Sequence, residues 1–231
     1  MSRLPIEGAA NSGLNLPPLP AHDRTMTDTD FDSALIASAF KLAGENGWAS
    51  VSVASAARAA DLGLAQARAR FPNKGAILLG FGRMADAFAL EEAPAEGPIR
   101  DRLFDLLMRR FDALQSYRAG VIAVARAMPF DPPTAVLMAC ATRRSMRWML
   151  DAAGGSTTGL FGEIRVRGLM AVWLWAARAW EKDETEDLTA TMAALDTALA
   201  RAERAAGWLA GRSPAKKEPE TPAEPSDGDD A

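Results

Sequence analysis

The chain has 231 residues, 48% of them hydrophobic and 24% charged, enough for one sizeable domain or for a small domain on a larger one. Its formal net charge of −4 excludes a generic polyanion binder, so any nucleic-acid surface must be local. A single cysteine, Cys140, excludes an internal disulfide, and the only histidine, His22, lies outside the helical body. That body therefore lacks the commonest general base, the usual zinc ligand and any Ser-His-Asp constellation, and an enzyme is the least supported class.

Residues 1–30 have no sustained period and are broken by proline and glycine, which predicts a disordered tail. No apolar core follows Arg3, so no secretory signal is predicted, and Met26 is a second candidate start. From Phe31 the period becomes helical. Leu35, Ile36, Ala39, Phe40, Leu42 and Ala43 form an apolar stripe that Gly44 and Gly47 close. Trp48 reads as a core plug.

The stretch Ser50 to Lys74 reads as two short helices and a tight turn. Ser50 or Ser52 can cap the first, because a side-chain oxygen there accepts from an orphan backbone N–H, and the alanine-rich run to Ala60 propagates it. Asp61 and Gly63 tolerate the backbone of a sharp turn, with Leu62 and Leu64 expected to point inward. Ala65 to Arg70 follows as a short helix with a basic edge, the kind of element a helix-turn-helix presents to a major groove. The candidate DNA-contacting residues are Ser52, Gln66, Arg68, Arg70 and Lys74, the last for a phosphate. The competing reading of Arg68 and Arg70 is a solvated face of an alanine-rich helix. Between Ala34 and Leu90 six basic residues oppose three acidic ones, a local charge of +3.

After the break at Pro94 to Pro98 only helices are predicted: Arg100 to Tyr117, Ala119 to Met128, Thr134 to Ala153, Glu163 to Lys182, and a last one that Asp183 and Glu186 start as a capping box. The total is about nine helices in an all-α chain, with units at 31–92 and 98–211 and an acidic, proline-rich disordered tail at 212–231. Met108, Phe111, Met138, Met146 and Trp148, with Arg143 and Arg147 as anion anchors, form a candidate pocket for a small hydrophobic ligand; core filling is the alternative. Trp173 and Trp175 lie about 200° apart on a helix, so some aromatic surface looks outward. Trp173, Trp180, Leu188, Met192, Leu195 and Leu199 are the candidate homodimer interface. Cys140, in the apolar run Val136 to Ala141, reads as a buried small residue. The acidic run Glu181 to Asp187 reads as a helix start, not a metal site, and no cofactor is predicted. Arg165, Arg167 and Arg178 interrupt the apolar helices, so no membrane insertion is predicted. A reducing, cytoplasmic compartment is compatible with the one cysteine.

At the two-helix stretch the chain resembles the tetracycline-repressor (TetR) family of regulators. The matching pieces are Leu35 to Gly47, Ser52 to Ala60, Asp61 to Leu64, Ala65 to Arg70 and the step Phe71-Pro72-Asn73-Lys74 into a long fourth helix. The resemblance implies an N-terminal helix-turn-helix, a helical ligand-binding and dimerisation part, a palindromic double-stranded DNA operator and a small effector, the protein acting as a repressor. Leu62-Gly63-Leu64, the run Asp151 to Thr158 and Glu184 to Asp187 are also similar to the lipid-binding accessory protein of coenzyme Q (ubiquinone) biosynthesis. That resemblance implies a TetR-like fold that binds isoprenoid lipid and a partner hydroxylase without binding DNA.

Overall fold

A computed structural model describes residues 27–93 and 96–209. Those residues form nine α-helices: α1 (Asp28–Asn46), α2 (Val53–Ala59), α3 (Leu64–Arg70), α4 (Lys74–Leu90), α5 (Ile99–Gln115), α6 (Arg118–Ala127), α7 (Pro132–Ala152), α8 (Gly159–Lys182) and α9 (Thr189–Leu209). Short 3-10 turns lie at Trp48–Ser50 and Met128–Phe130. Residues 1–26 of the first predicted tail, all of the second (212–231) and residues 210–211 of the second unit lie outside the described residues. Residues 27–30 do not belong to a tail. Thr27 caps α1 by accepting from the Asp30 amide, and the Asp30 carboxylate accepts from the Thr27 amide in return. This reciprocal pair satisfies two orphan donors, so the helix begins before the apolar stripe does.

The stripe on α1 is buried as predicted, with Leu35, Ala39 and Ala43 fully enclosed. It packs along α6, where the helices touch at Gly120. A Cβ added there would stand 2.3 Å from the Phe40 carbonyl oxygen, so only glycine permits this approach. The Phe40 ring lies tilted against that of Phe81 of α4, 4.1 Å between centres, and Tyr117 meets Phe81 edge-on at 5.2 Å. Trp48 is buried beneath them, as the plug expected from sequence. The three-helix N-terminal unit is thus tied into the rest of the molecule by one continuous apolar core.

α4 carries the chain from that unit into the body and packs on α5 and α7. Across this junction runs a buried polar cluster. Arg110 of α5 donates from Nε to Asp86 of α4 at 2.8 Å, Ser145 of α7 donates to the other Asp86 oxygen at 2.5 Å, and the Arg110 guanidinium lies 4.4 Å from the ring centre of Trp173 on α8. The ring of Trp173 in turn stacks on Phe111 at 4.4 Å.

α8 and α9 form a long antiparallel pair. Their corner is organised by Asp183, 3% exposed, which accepts from the Thr191 amide (2.7 Å) and hydroxyl (2.8 Å) and from the Thr185 amide and hydroxyl. Burial pushes this carboxyl up, yet the four donors outweigh it and hold the group at about 2, below its ordinary 3.8. Asp183 thus serves the first turn of α9 through Thr191, but it stands at the end of α8 and is not the predicted N-cap of a capping box with Glu186. The helix starts at Thr189, later than the capping pattern assumes, and Leu188 turns the chain at φ 52 with its side chain buried.

Candidate nucleic-acid interface

α2 opens with a reciprocal cap between Ser52 and Ser55, so Ser52, exposed at the helix start, spends its hydroxyl on the Ser55 amide. The turn then bonds back to α2: the Asp61 amide reaches the Arg58 carbonyl and the Leu62 amide reaches Ala57 at 2.8 Å. Asp61 itself adopts the left-handed backbone at φ 54, whereas Gly63 is extended and caps α3. Leu62 points inward and is buried. Leu64, expected beside it, is instead 46% exposed, because it is the first residue of α3 and lies on that helix's outer side.

α3 is held by Ala67 and by Phe71, both buried. Its outward face consists of Leu64, Ala65, Arg68 and Ala69, small or apolar residues around one exposed guanidinium. Of the three side chains expected to face a groove, only Arg68 is fully outside. Gln66 is half-buried, its amide oxygen enclosed without a hydrogen-bond partner among the described residues. Arg70 turns away toward α1. Asp32 accepts from its Nε at 2.5 Å and its Nη2 at 2.7 Å, and Asp28 pairs with Nη1 at 2.8 Å. The bonds to Asp32, then those to Asp28, hold the guanidinium proton more firmly than usual. Arg70 fixes the end of α3 against α1, in place of the groove contact expected from sequence.

Lys74, at the first position of α4, is half-buried with Nζ 5.5 Å from the Trp48 ring centre. The ammonium itself lies over the ring, and Asn73 caps the helix just before it. The local charge also differs from expectation. With α1 starting at Asp28, the unit 27–90 gains Asp28, Asp30 and Asp32, and six basic residues stand against six acidic ones, a sum of zero. The sequence signal was the Thr27-to-Asp30 spacing, with Asp where a capping box usually has Glu or Gln.

The residues predicted to line an effector pocket are not gathered around one cavity. Phe111 and Met146 are fully buried, Met108 and Met138 are half-buried against the core, and Trp148 is 61% exposed. Arg143 and Arg147 both bind Glu163 of α8 at 2.6 Å. The predicted interface residues Trp173, Trp180, Leu188, Leu195 and Leu199 are buried within the single chain, and Met192 is half-buried. Trp180 donates to Gln115 at 3.0 Å beneath Arg118. Of Trp173, Trp175 and Trp180, the one that looks outward is Trp175, with Leu174 beside it. Trp175, Gly168 and Ala171 of α8 and Ala198, Arg201 and Ala202 of α9 line a shallow open groove of about 340 Å³. Cys140 is exposed, not buried, since α7 near Val136 and Ala139 has neighbours on one side only. Among the described residues no cluster of His, Cys, Asp and Glu is placed to hold a metal, and no helix is long and apolar enough to cross a membrane.

No protein-family model matches the chain and no curated protein sequence matches it. Solved structures do. A TetR transcriptional regulator from Nitrosomonas europaea superposes with a TM-score of 0.62 at 21% identity, over 75% of this chain and 98% of that one. A TetR-family regulator from Streptomyces coelicolor gives 0.55 at 20% identity, over 80% and 85%. GusR from Salmonella enterica gives 0.53 at 18%, over 78% and 98%. The chain has the TetR-regulator fold; likeness at these identities carries architecture and not activity.

Proposed function

We propose that the protein is a TetR-like transcriptional regulator, a repressor that binds a near-palindromic operator as a homodimer in the cytoplasm and is released by a small hydrophobic ligand. The observation that carries this reading is the outward face of α3, where small residues leave the exposed Arg68 room to approach base edges. Arginine can pair bidentately with guanine, and Lys74 stands at a helix start where a phosphate contact is favourable. Two recognition helices must reach successive major grooves about 34 to 36 Å apart, which requires a two-fold partner. The groove beside Trp175 and Leu174 supplies an apolar face for that partner. Ligand control is carried over from the TetR resemblance, since Met108, Phe111, Met138 and Met146 are not gathered around one cavity.

Fluorescence anisotropy with the DNA upstream of its own gene tests this. The wild type is expected to bind with a steep salt dependence. Arg68→Ala should lose about 1 to 3 kcal/mol and relax one operator position, while Lys74→Ala should weaken all sequences alike and lower the salt slope by about one. Trp175→Glu should sediment as a monomer and lose operator binding. Weak, sequence-independent binding that Arg68→Ala leaves unchanged overturns the reading. A second reading, an isoprenoid-lipid-binding accessory protein of ubiquinone biosynthesis, would then take its place. It is favoured by the zero net charge of residues 27–90 and by Arg70's commitment to Asp28 and Asp32.

A further inference from the structure

The end of the molecule where α7 meets the start of α8 combines two features that neither the fold nor the proposed operator contacts use. One is charge. Glu163 is surrounded by three guanidiniums: Arg143 at 2.6 Å, Arg147 at 2.6 Å and Arg167 at 3.3 Å. One carboxylate among three such groups leaves an excess of two positive charges. Arg144 adds a third, being exposed with no ion-pair partner among the described residues. The other feature is apolar. Trp148, one turn beyond Arg144, is 61% exposed, and Phe161 and Leu160 at the start of α8 are 60% and 74% exposed. Arginines interleaved with exposed rings make a surface suited to an acidic segment that also brings something to lay on an aromatic face.

The chain carries such a segment, and its last described helix ends beside this surface. α9 runs antiparallel to α8: Arg201 lies over the Trp175 ring, and Ala202 lines the same groove as Gly168. Two further turns take α9 to Leu209, level with Phe161 on α8. The sequence then continues to residue 231. From Glu218 onward it has six carboxylates, Glu218, Glu220, Glu224, Asp227, Asp229 and Asp230, and no lysine or arginine. Pro219, Pro222 and Pro225 recur every third residue, which is the period of a polyproline helix and would put all three on one edge. The nine residues from Leu209 to Glu218 can span up to about 30 Å, more than the width of two packed helices.

We infer that residues 218–230 of this chain dock on the face formed by Trp148, Phe161 and the arginines around Glu163, proline edge against the rings and carboxylates against the guanidiniums. The segment then acts as an intramolecular cover. It hides a basic, aromatic surface of a chain whose overall charge is negative, and a more strongly anionic partner would have to displace it. This inference does not depend on DNA binding by α3.

The single native cysteine offers the test. Cys140 is exposed on α7, two turns from Trp148, and can carry a nitroxide in the full-length, 15N-labelled protein. Paramagnetic broadening of the amide signals between Glu218 and Asp230 is expected, with most of their intensity lost relative to the reduced label. It should be reversed by about 0.5 M salt, which shortens the screening length to a few ångströms, and by Arg144→Glu/Arg167→Glu. Unbroadened signals overturn the proposal. So does broadening seen only when nitroxide-labelled 14N protein is mixed with unlabelled 15N protein, which would assign the face to another copy. Binding of phosphatidylglycerol vesicles at this face with the tail signals unaffected would assign it to a membrane and overturn the proposal equally.

Discussion

The N-terminal unit and the α8–α9 pair handle aromatic side chains in opposite ways. In the first, Phe31, Phe40, Trp48 and Phe71 are all buried, and the surface is left to small residues and charges that cancel. In the second, Trp173 and Trp180 fill the core while Trp175 and Leu174 look outward. A surface with its rings inside can bind only through hydrogen bonds and charge, so its affinity rests on few residues and falls with salt. A surface with rings outside gains by removing apolar area from water, roughly 25 cal/mol per Å², and salt hardly matters. On the proposed reading, the first face would meet a polyanion and the second a protein surface.

The strongest way to break this division is to cut the join between its two halves. Arg110 holds Asp86 of α4 and covers Trp173 of α8, and it is 6% exposed. Arg110→Ala leaves the half-buried Asp86 carboxylate with only the Ser145 hydroxyl and uncovers the Trp173 ring, and the expected loss is about 2 to 3 kcal/mol in urea unfolding. Replacing both partners, as Asp86→Leu/Arg110→Met, should recover most of it, because removing both charges also removes their desolvation cost. If the single and double variants are equally unstable, the pair is not what holds the junction.

What was legible in the sequence followed from locality. The Ser52 cap, the inward Leu62 and α3 itself, placed within one residue, depend on contacts three to five positions apart, while the start of α4 at Lys74 came with the TetR resemblance. Arg70 escaped because its partner Asp32 is 38 residues away, and no local pattern joins them. At the α8–α9 pair the angular argument required an outward ring without fixing which, and Trp173, expected at an interface, is buried within the chain. Trp173 continues the inner row of Leu169, Val172, Ala176 and Trp180, which leaves Trp175 outside. The capping role of Asp183 was readable as a role and not as a geometry, since Thr191 reaches it across an eight-residue turn.

That corner yields the second prediction, which probes the α8–α9 side of the comparison without touching its outer face. Asp183→Ala leaves the fully buried Thr191 amide and hydroxyl without acceptors, an expected cost of about 1 to 3 kcal/mol. The sign of its pH dependence follows from the carboxyl being held at about 2 in the fold against 3.8 ordinarily. The stabilisation is fully present above about pH 4 and disappears as the pH falls toward 2, because the unfolded chain takes up the proton first. Urea midpoints measured across that window should converge for wild type and Asp183→Ala. Parallel curves would remove Asp183 as their cause.

The smallest effect sharpens the N-terminal side, where Arg68 and Arg70 are two residues apart and differ in what they serve. Arg70 is bound by one carboxylate that is largely in water and another that is partly so, and exposed pairs of this kind contribute little to stability. Arg70→Ala should therefore leave the urea midpoint almost unchanged. It should nonetheless lower operator affinity, since α3 loses its tie to α1, while the ranking among altered operators stays as in the wild type. Arg68→Ala should do the reverse for specificity, flattening the preference at one position. The decisive variant is Asp28→Ala/Asp32→Ala, which frees a guanidinium beside the DNA-facing helix. If charge cancellation limits this face, that variant should bind all DNA more tightly and steepen the salt slope by about one. An unchanged slope would mean that the guanidinium of Arg70 stays out of reach of phosphate even when released, which leaves Arg68 of α3 and Lys74 of α4 as the candidate contacts.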